Sequence, residues 1–210
     1  MTGRDTPSPN PPHLGRSEAK AARRSALLRS AAGLFAERGF AGVSMEDLGT
    51  AVGMSGPAVY RHFPSKQAVL AALLVGVSQD LLDGGTREVE QAPDSDRALR
   101  SLVTFHVAFA LDDPDVIRIQ DHDLDSLAPD DRRAVRTLQR RYVERWVDVL
   151  TTLHPTIPAA ELRVRALAGF GLINSTSHST SLGRNEAGTP DREAVRSTLE
   201  RMALAALLAA

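Results

Sequence analysis

Apolar residues recur every three or four positions along most of this chain, and no stretch alternates as a half-buried strand requires. Leu27, Ala31, Leu34 and Phe35 form the stripe of a one-sided helix running from Arg16 or Ser17 to Glu37. Leu48, Ala51 and Val52 mark a short second helix. Ser44 is its cap, Asp47 completes a capping box, and Gly53 follows where a left-handed residue ends the helix. Ser55 caps a third helix with Pro57 in its first turn, and Val59 and Phe63 face inward before Pro64 stops it. From Ser65 to about Leu82 apolar residues occupy more than one side, which predicts a helix buried between neighbours, broken at Gly84-Gly85. Further helices are predicted over Ser95 to Leu111 (capped by Ser95), Pro114 to Asp123, Pro129 to Leu153, Ala159 to Ser177 and Asp191 to Ala209, with a loop from Ser181 to Pro190. The prediction is an all-α fold of about nine helices. A three-helix unit at residues 16–64 is joined by a long helix to a C-terminal bundle spanning 65–210. Residues 1–15, with Pro7, Pro9, Pro11 and Pro12, read as a disordered tail.

The run from Ser44 to Lys66 has the order helix, tight turn, helix, and so reads as a helix-turn-helix with Ser55 to His62 as the recognition helix. Its residues also carry a family resemblance. Gly39-Phe40, Tyr60-Arg61-His62-Phe63 and Ser65-Lys66 stand in the order and spacing of TetR-type transcriptional repressors, and the resemblance covers Arg16 to Leu74. It implies a dimer bound to a palindromic operator in double-stranded DNA, with Tyr60 and Lys66 on the phosphate backbone. The DNA-facing set expected here is Lys20, Ser44, Ser55, Gly56, Pro57, Ala58, Tyr60, Arg61, His62 and Lys66. Glu46 departs from relatives that place a basic base-reader there.

In such regulators the space among the C-terminal helices commonly holds a small effector. Phe105, His106, Phe109, Tyr142, Trp146, Phe170 and Asn174 are the larger aromatic and polar groups available to line it. Aromatic residues at helical spacing also fill ordinary cores, and both readings stand at this point. Two stripes are candidates for a subunit contact: Ala166, Gly169 and Ile173, and Leu199, Met202, Ala206 and Leu207.

Charge sharpens the division. Residues 1–66 hold nine Lys and Arg against five Asp and Glu, whereas the whole chain has a net charge of −1. A positive end on a helix-turn-helix is the footprint of phosphate binding. The absence of cysteine excludes disulfides, thiolate zinc sites and thiol catalysis, and suits a cytoplasmic setting. Apolar runs such as Ala68 to Val77 fall short of the roughly 18 residues a membrane span needs. Asp121-His122-Asp123 is the one local cluster of metal-ligand types, but neighbouring helical residues point about 100° apart. No metal or cofactor is therefore expected. Gly169-Phe170-Gly171 reads as a close helix contact, because no strand precedes it. The expectation is a non-enzymatic repressor released from its operator by a small, largely apolar ligand. The alternative is an all-α ligand-binding or enzymatic protein with an inert helix-turn-helix.

Overall fold

The computed structural model describes residues 15–178 and 191–209; the expected tail and the loop after residue 180 lie outside them. The described helices are α1 (Arg16–Arg38), α2 (Met45–Ala51), α3 (Gly56–Val59), α4 (Lys66–Gln91), α5 (Ser95–Asp112), α6 (Pro114–Asp123), α7 (Pro129–Leu153), α8 (Ala159–Asn174) and α9 (Arg192–Leu207). Short 3₁₀ segments follow α6 at Leu124–Ser126 and α8 at Ser175–His178. The chain is all-α, as its periodicity predicts, with α1–α3 at one end and the bundle at the other.

Four local predictions need correction. Gly84 and Gly85 do not break α4, which runs unbroken to Gln91. Both are buried because rings cross there: a Cβ on Gly84 would stand 2.2 Å from Phe105 Cζ, and one on Gly85 2.4 Å from Tyr142 Cε2. Helix α5 is capped by Asp94, not Ser95; its carboxylate accepts the Arg97 N–H at 2.8 Å. The recognition helix is a single turn, Gly56–Val59, continued by turns that bond the His62 and Phe63 N–H groups to the Val59 carbonyl. Helix α8 ends at Asn174 and tightens into the 3₁₀ segment.

Gly85→Ala is expected to destabilise the protein. The gain in helix propensity is about 1 kcal/mol, but driving Tyr142 aside costs about 1–3 kcal/mol or more. A raised midpoint in urea unfolding would show that the ring yields freely.

Unbroken, α4 has the length and apolarity to cross a membrane, with a window of mean hydropathy 1.4. Over half of that window, 56%, is buried inside the protein, as a core helix packed between α5 and α7 must be.

Two apolar cores meet along α4. One fills the bundle around Leu99, Leu102, Trp146 and Leu150. The other holds α1–α3 to the start of α4 through Phe35, Leu48, Val59 and Leu70. This second core is closed by Val116 and Ile119 of α6, Leu127, and Val135 of α7. The expected division after residue 64 therefore runs through a shared core. Val77 and Phe109 border both cores.

The stripes expected at a subunit contact are mostly internal. Ala166, Gly169 and Ile173 are buried against α9, where Leu207 covers Gly169, and Leu199 is buried too. The large apolar residues left exposed on α8 and α9 are Val164, Leu167 and Met202, at 64%, 52% and 52% exposure, and the exposed Ala206 follows Met202 by one helical turn.

Candidate nucleic-acid interface and bundle interior

The turn between α2 and α3 is built by Gly53 at φ +66°, a conformation glycine adopts without strain. Before it, Ser44 and Asp47 form the complete capping box: Ser44 Oγ accepts the Asp47 N–H at 3.0 Å, and Asp47 Oδ2 accepts the Ser44 N–H at 2.8 Å. Ser44 Oγ also donates to that carboxylate at 2.7 Å. These bonds hold the Asp47 carboxyl below its ordinary range, with Arg38 adding a smaller attraction. They leave Ser44 no free donor for a phosphate.

The remaining members of the expected DNA-facing set divide by exposure. Lys20, Ser55, Pro57, Tyr60 and Arg61 are exposed, Tyr60 by 51%. Ser55 stands at the cap position of α3, but its side chain makes no capping bond and is free to point outward. Gly56, His62 and Lys66 are half-buried. Ala58 is buried, at 8% exposure, and packs inward rather than presenting its methyl to a groove.

Lys66 has a second role that local spacing does not announce. Its ammonium donates to the Phe40 carbonyl at 2.7 Å and the Ala41 carbonyl at 3.4 Å, and lies 4.4 Å from the centre of the Phe40 ring. It thereby ties the start of α4 to the α1–α2 turn. The Phe40 N–H in turn donates to Asp123 of α6 at 3.3 Å. Ser44, Tyr60 and Lys66 nevertheless line one concave surface of about 550 Å³.

Near that surface lies a cluster of positive charge around His62. Burial lowers the His62 pKa first, and Lys20, Arg23, Arg61 and Arg24 then each push it lower. Four cations thus converge on one imidazole, from α1 on one side and the end of the recognition segment on the other. Arg24 also sits 4.8 Å over the Phe63 ring. With Lys20, Arg23 and Arg24 form the basic entry of α1, a stretch whose charges fit either a phosphate backbone or a solvated face when read from spacing alone.

Inside the bundle, six of the seven aromatic and polar residues singled out from the sequence come together. His106 is buried, with ring centres 4.8 Å from Phe170, 5.7 Å from Tyr142, 5.8 Å from Phe109 and 6.0 Å from Trp146. Its Nε2 lies 3.2 Å from Asn174 Oδ1, and its Nδ1 lies 3.3 Å from the Tyr142 hydroxyl. The Asn174 oxygen can only accept, so Nε2 carries the hydrogen and Nδ1 accepts from Tyr142. Burial holds the His106 pKa down to about 4, and burial likewise raises that of Tyr142. Both are therefore neutral at pH 7. Phe105 stands apart, over Gly84, but shares with Phe109 the wall of a cavity of about 420 Å³ between α4 and α5.

A helix-turn-helix beside a cluster of cations, carried on a helical bundle with a polar, ring-lined interior, is the arrangement of a helical DNA-binding regulator. Known proteins agree at the level of sequence and of fold. Residues 27–73 match the model of bacterial regulatory proteins of the tetR family, and residues 92–178 match a tetracyclin repressor-like C-terminal domain. The transcriptional repressor KstR2 of Rhodococcus jostii is 30% identical over 67% of this chain and 69% of its own. A TetR-family regulator from Bordetella parapertussis shares the fold at a TM-score of 0.74, with 24% identity over 87% of this chain and 94% of that one. AibR, solved with isovaleryl coenzyme A and operator DNA, shares it at 0.70, with 19% identity over 86% of this chain and 97% of its own. The chain belongs to the TetR family of transcriptional regulators.

Proposed function

We propose that this regulator is a cytoplasmic, homodimeric repressor that leaves a palindromic operator when a small ligand enters its bundle. The observation that carries the DNA-binding part is the convergence of Lys20, Arg23, Arg24 and Arg61 on His62 beside the exposed Tyr60. Ser55, Pro57 and Arg61 face the bases from the short recognition segment. Gly56, half-buried against Glu46, lets that segment approach closely. Tyr60, His62, Lys20 and the third proton of the Lys66 ammonium meet phosphates. Ala58 and Ser44 have no part in this reading, because one is buried and the other is engaged with Asp47.

The ligand part rests on the buried polar group at His106 and on the connections leading from it. Asn174 ends α8, and the 3₁₀ segment after it offers the Ser177 carbonyl to Arg118 of α6 at 2.7 Å. Helix α6 reaches the α1–α2 turn through Asp123. A ligand that displaces α8 or Phe109 thus moves α6 and the helix-turn-helix together, and shifts the two recognition segments off register. A KstR2-like repressor supports this direction of control, and AibR supports the pairing of a small molecule with operator DNA.

The test is a titration of the full chain against the DNA flanking its own coding region and against a scrambled duplex, at several salt concentrations. Tight binding to the flanking DNA alone is expected. The double variant Lys20→Ala, Arg23→Ala should weaken binding to both duplexes and reduce the log-salt slope by about 0.9 for each phosphate that is no longer neutralised. An unchanged slope would remove α1 from the interface.

A further inference from the structure

Helix α2 carries one acidic group that its own folding does not use. The start of α2 is closed by Ser44 and Asp47, whose capping box is complete, and Glu46 makes no bond in it. Glu46 is exposed, and among the described residues its carboxylate has no hydrogen bond and no ion pair. Its direction is set by α3. The side chain lies across Gly56, the first residue of that helix: a Cβ built on the glycine would stand 3.5 Å from Glu46 Cγ and Oε1 and 3.8 Å from Cδ. Gly56 thus gives the side chain room to lie over the start of the recognition segment.

In a helix-turn-helix the N-terminal residues of the second helix reach the base edges. At that end of α3 the neighbours of Glu46 bear no charge. Ser55 is exposed with a hydroxyl that makes no capping bond, and Pro57 is exposed and has no N–H. The cations Lys20, Arg23, Arg24 and Arg61 gather instead about His62, after the other end of the helix. A carboxylate in this place only accepts. Phosphates repel it, and so do the acceptor atoms of the major groove: N7 and O6 of guanine, N7 of adenine and O4 of thymine. Two donors remain, the N6 amine of adenine and the N4 amine of cytosine. The adenine amine stands beside N7, which turns a second acceptor toward the carboxylate. The cytosine amine has no acceptor beside it on its own edge, so cytosine is the base that satisfies this group.

We infer that Glu46 is a specificity-determining residue of the operator complex: its carboxylate, held over Gly56, accepts a hydrogen bond from the N4 amine of one cytosine in each half-site. This rests on, and deepens, the reading of α2 and α3 as the base-facing unit. It gives the interface a contact opposite in sign to the basic cluster. The cluster supplies affinity for any duplex, whereas Glu46 penalises every sequence that leaves its carboxylate facing an acceptor.

The full-length protein and its Glu46→Ala variant are each used to select duplexes from a library with a randomised core. The unaltered protein is expected to keep cytosine at one position of each half-site. Glu46→Ala should accept any base there, with its preferences elsewhere unchanged. Exchange of that cytosine for 2-pyrimidinone, which lacks the N4 amine, should weaken the unaltered protein about tenfold per half-site and Glu46→Ala by less than about twofold. The comparison of the two proteins removes the effect of the weakened base pair itself. If Glu46→Ala does not fold, the exchange on the unaltered protein decides alone. The same selected sequence from both proteins, or release of a base other than cytosine, overturns the inference. So does a uniform gain or loss by Glu46→Ala on all duplexes, which would make Glu46 a group that acts on the backbone or on folding alone. If neither protein selects any sequence, the base-facing reading of α2 and α3 falls and this inference with it.

Discussion

Leu167→Asp combined with Met202→Asp should turn the protein into a folded monomer with operator affinity lowered about a hundredfold or more. These are apolar side chains on α8 and α9 that the chain itself leaves uncovered, each more than half exposed. Val164, at 64% exposure, lies one turn from Leu167 on α8, and the exposed Ala206 one turn from Met202 on α9. A second copy related by a two-fold axis would cover them with the same face of its own α8 and α9. Two recognition segments then engage two half-sites at once, and such linkage raises affinity by about 10²–10⁴ with no change in either half-site interaction. Carboxylates placed at the centre of that contact face one another without water or counter-charge. Both sites are on the surface of the single chain, so its own folding should change by no more than about 0.5 kcal/mol. Sedimentation of the unaltered protein and the double variant at micromolar concentration, with operator titration of both, checks the prediction. A dimeric variant would place the interface elsewhere.

The second large effect concerns acid. His106 binds its proton at about pH 4 when folded, against an ordinary value of 6.5. Above pH 6.5 neither state holds that proton, and the stability conferred by the neutral imidazole is fully present. As pH falls below 6.5 the unfolded chain takes up the proton first, and the folded state loses stability by about 1.4 kcal/mol per pH unit until about pH 4. The total loss from this one residue is about 3 kcal/mol, a large share of a typical domain's stability. The burial that lowers the pKa is opposed only in part by the bond to Asn174. Urea unfolding between pH 7.5 and 4.5, read by Trp146 emission, should show this slope, and His106→Gln should flatten it. A slope unchanged in His106→Gln would assign the acid sensitivity to other groups.

Much of the fold is legible in the sequence because caps and periods are local. Ser44 with Asp47, and Ser65 with the Ala68 N–H, form caps within three residues, and the structure places both where the sequence puts them. What the sequence hides depends on partners far along the chain. Gly84 and Gly85 look like breakers until the Phe105 and Tyr142 rings are brought against them. The tether from Phe40 to Asp123 spans 83 positions, and no spacing rule reports it. The subunit stripes turn out internal except at Met202 and Ala206 for a related reason: a run of small residues at helical spacing shows that something packs closely, but not whether it is the chain's own α9 or a second copy. His106, Tyr142, Trp146, Phe170 and Asn174 stand out as a group because buried polar and aromatic side chains are scarce outside the N-terminal unit. Their pairing, with His106 and Asn174 separated by 68 positions, emerges only in the folded chain.

The central claim, that a two-fold dimer reads a palindrome, is tested most directly by hydroxyl-radical footprinting on the DNA flanking the coding region. The account predicts two protected patches related by symmetry, spaced by about one helical turn of roughly 34 Å or a simple multiple. A single patch, or protection no different from that on scrambled DNA, would contradict it.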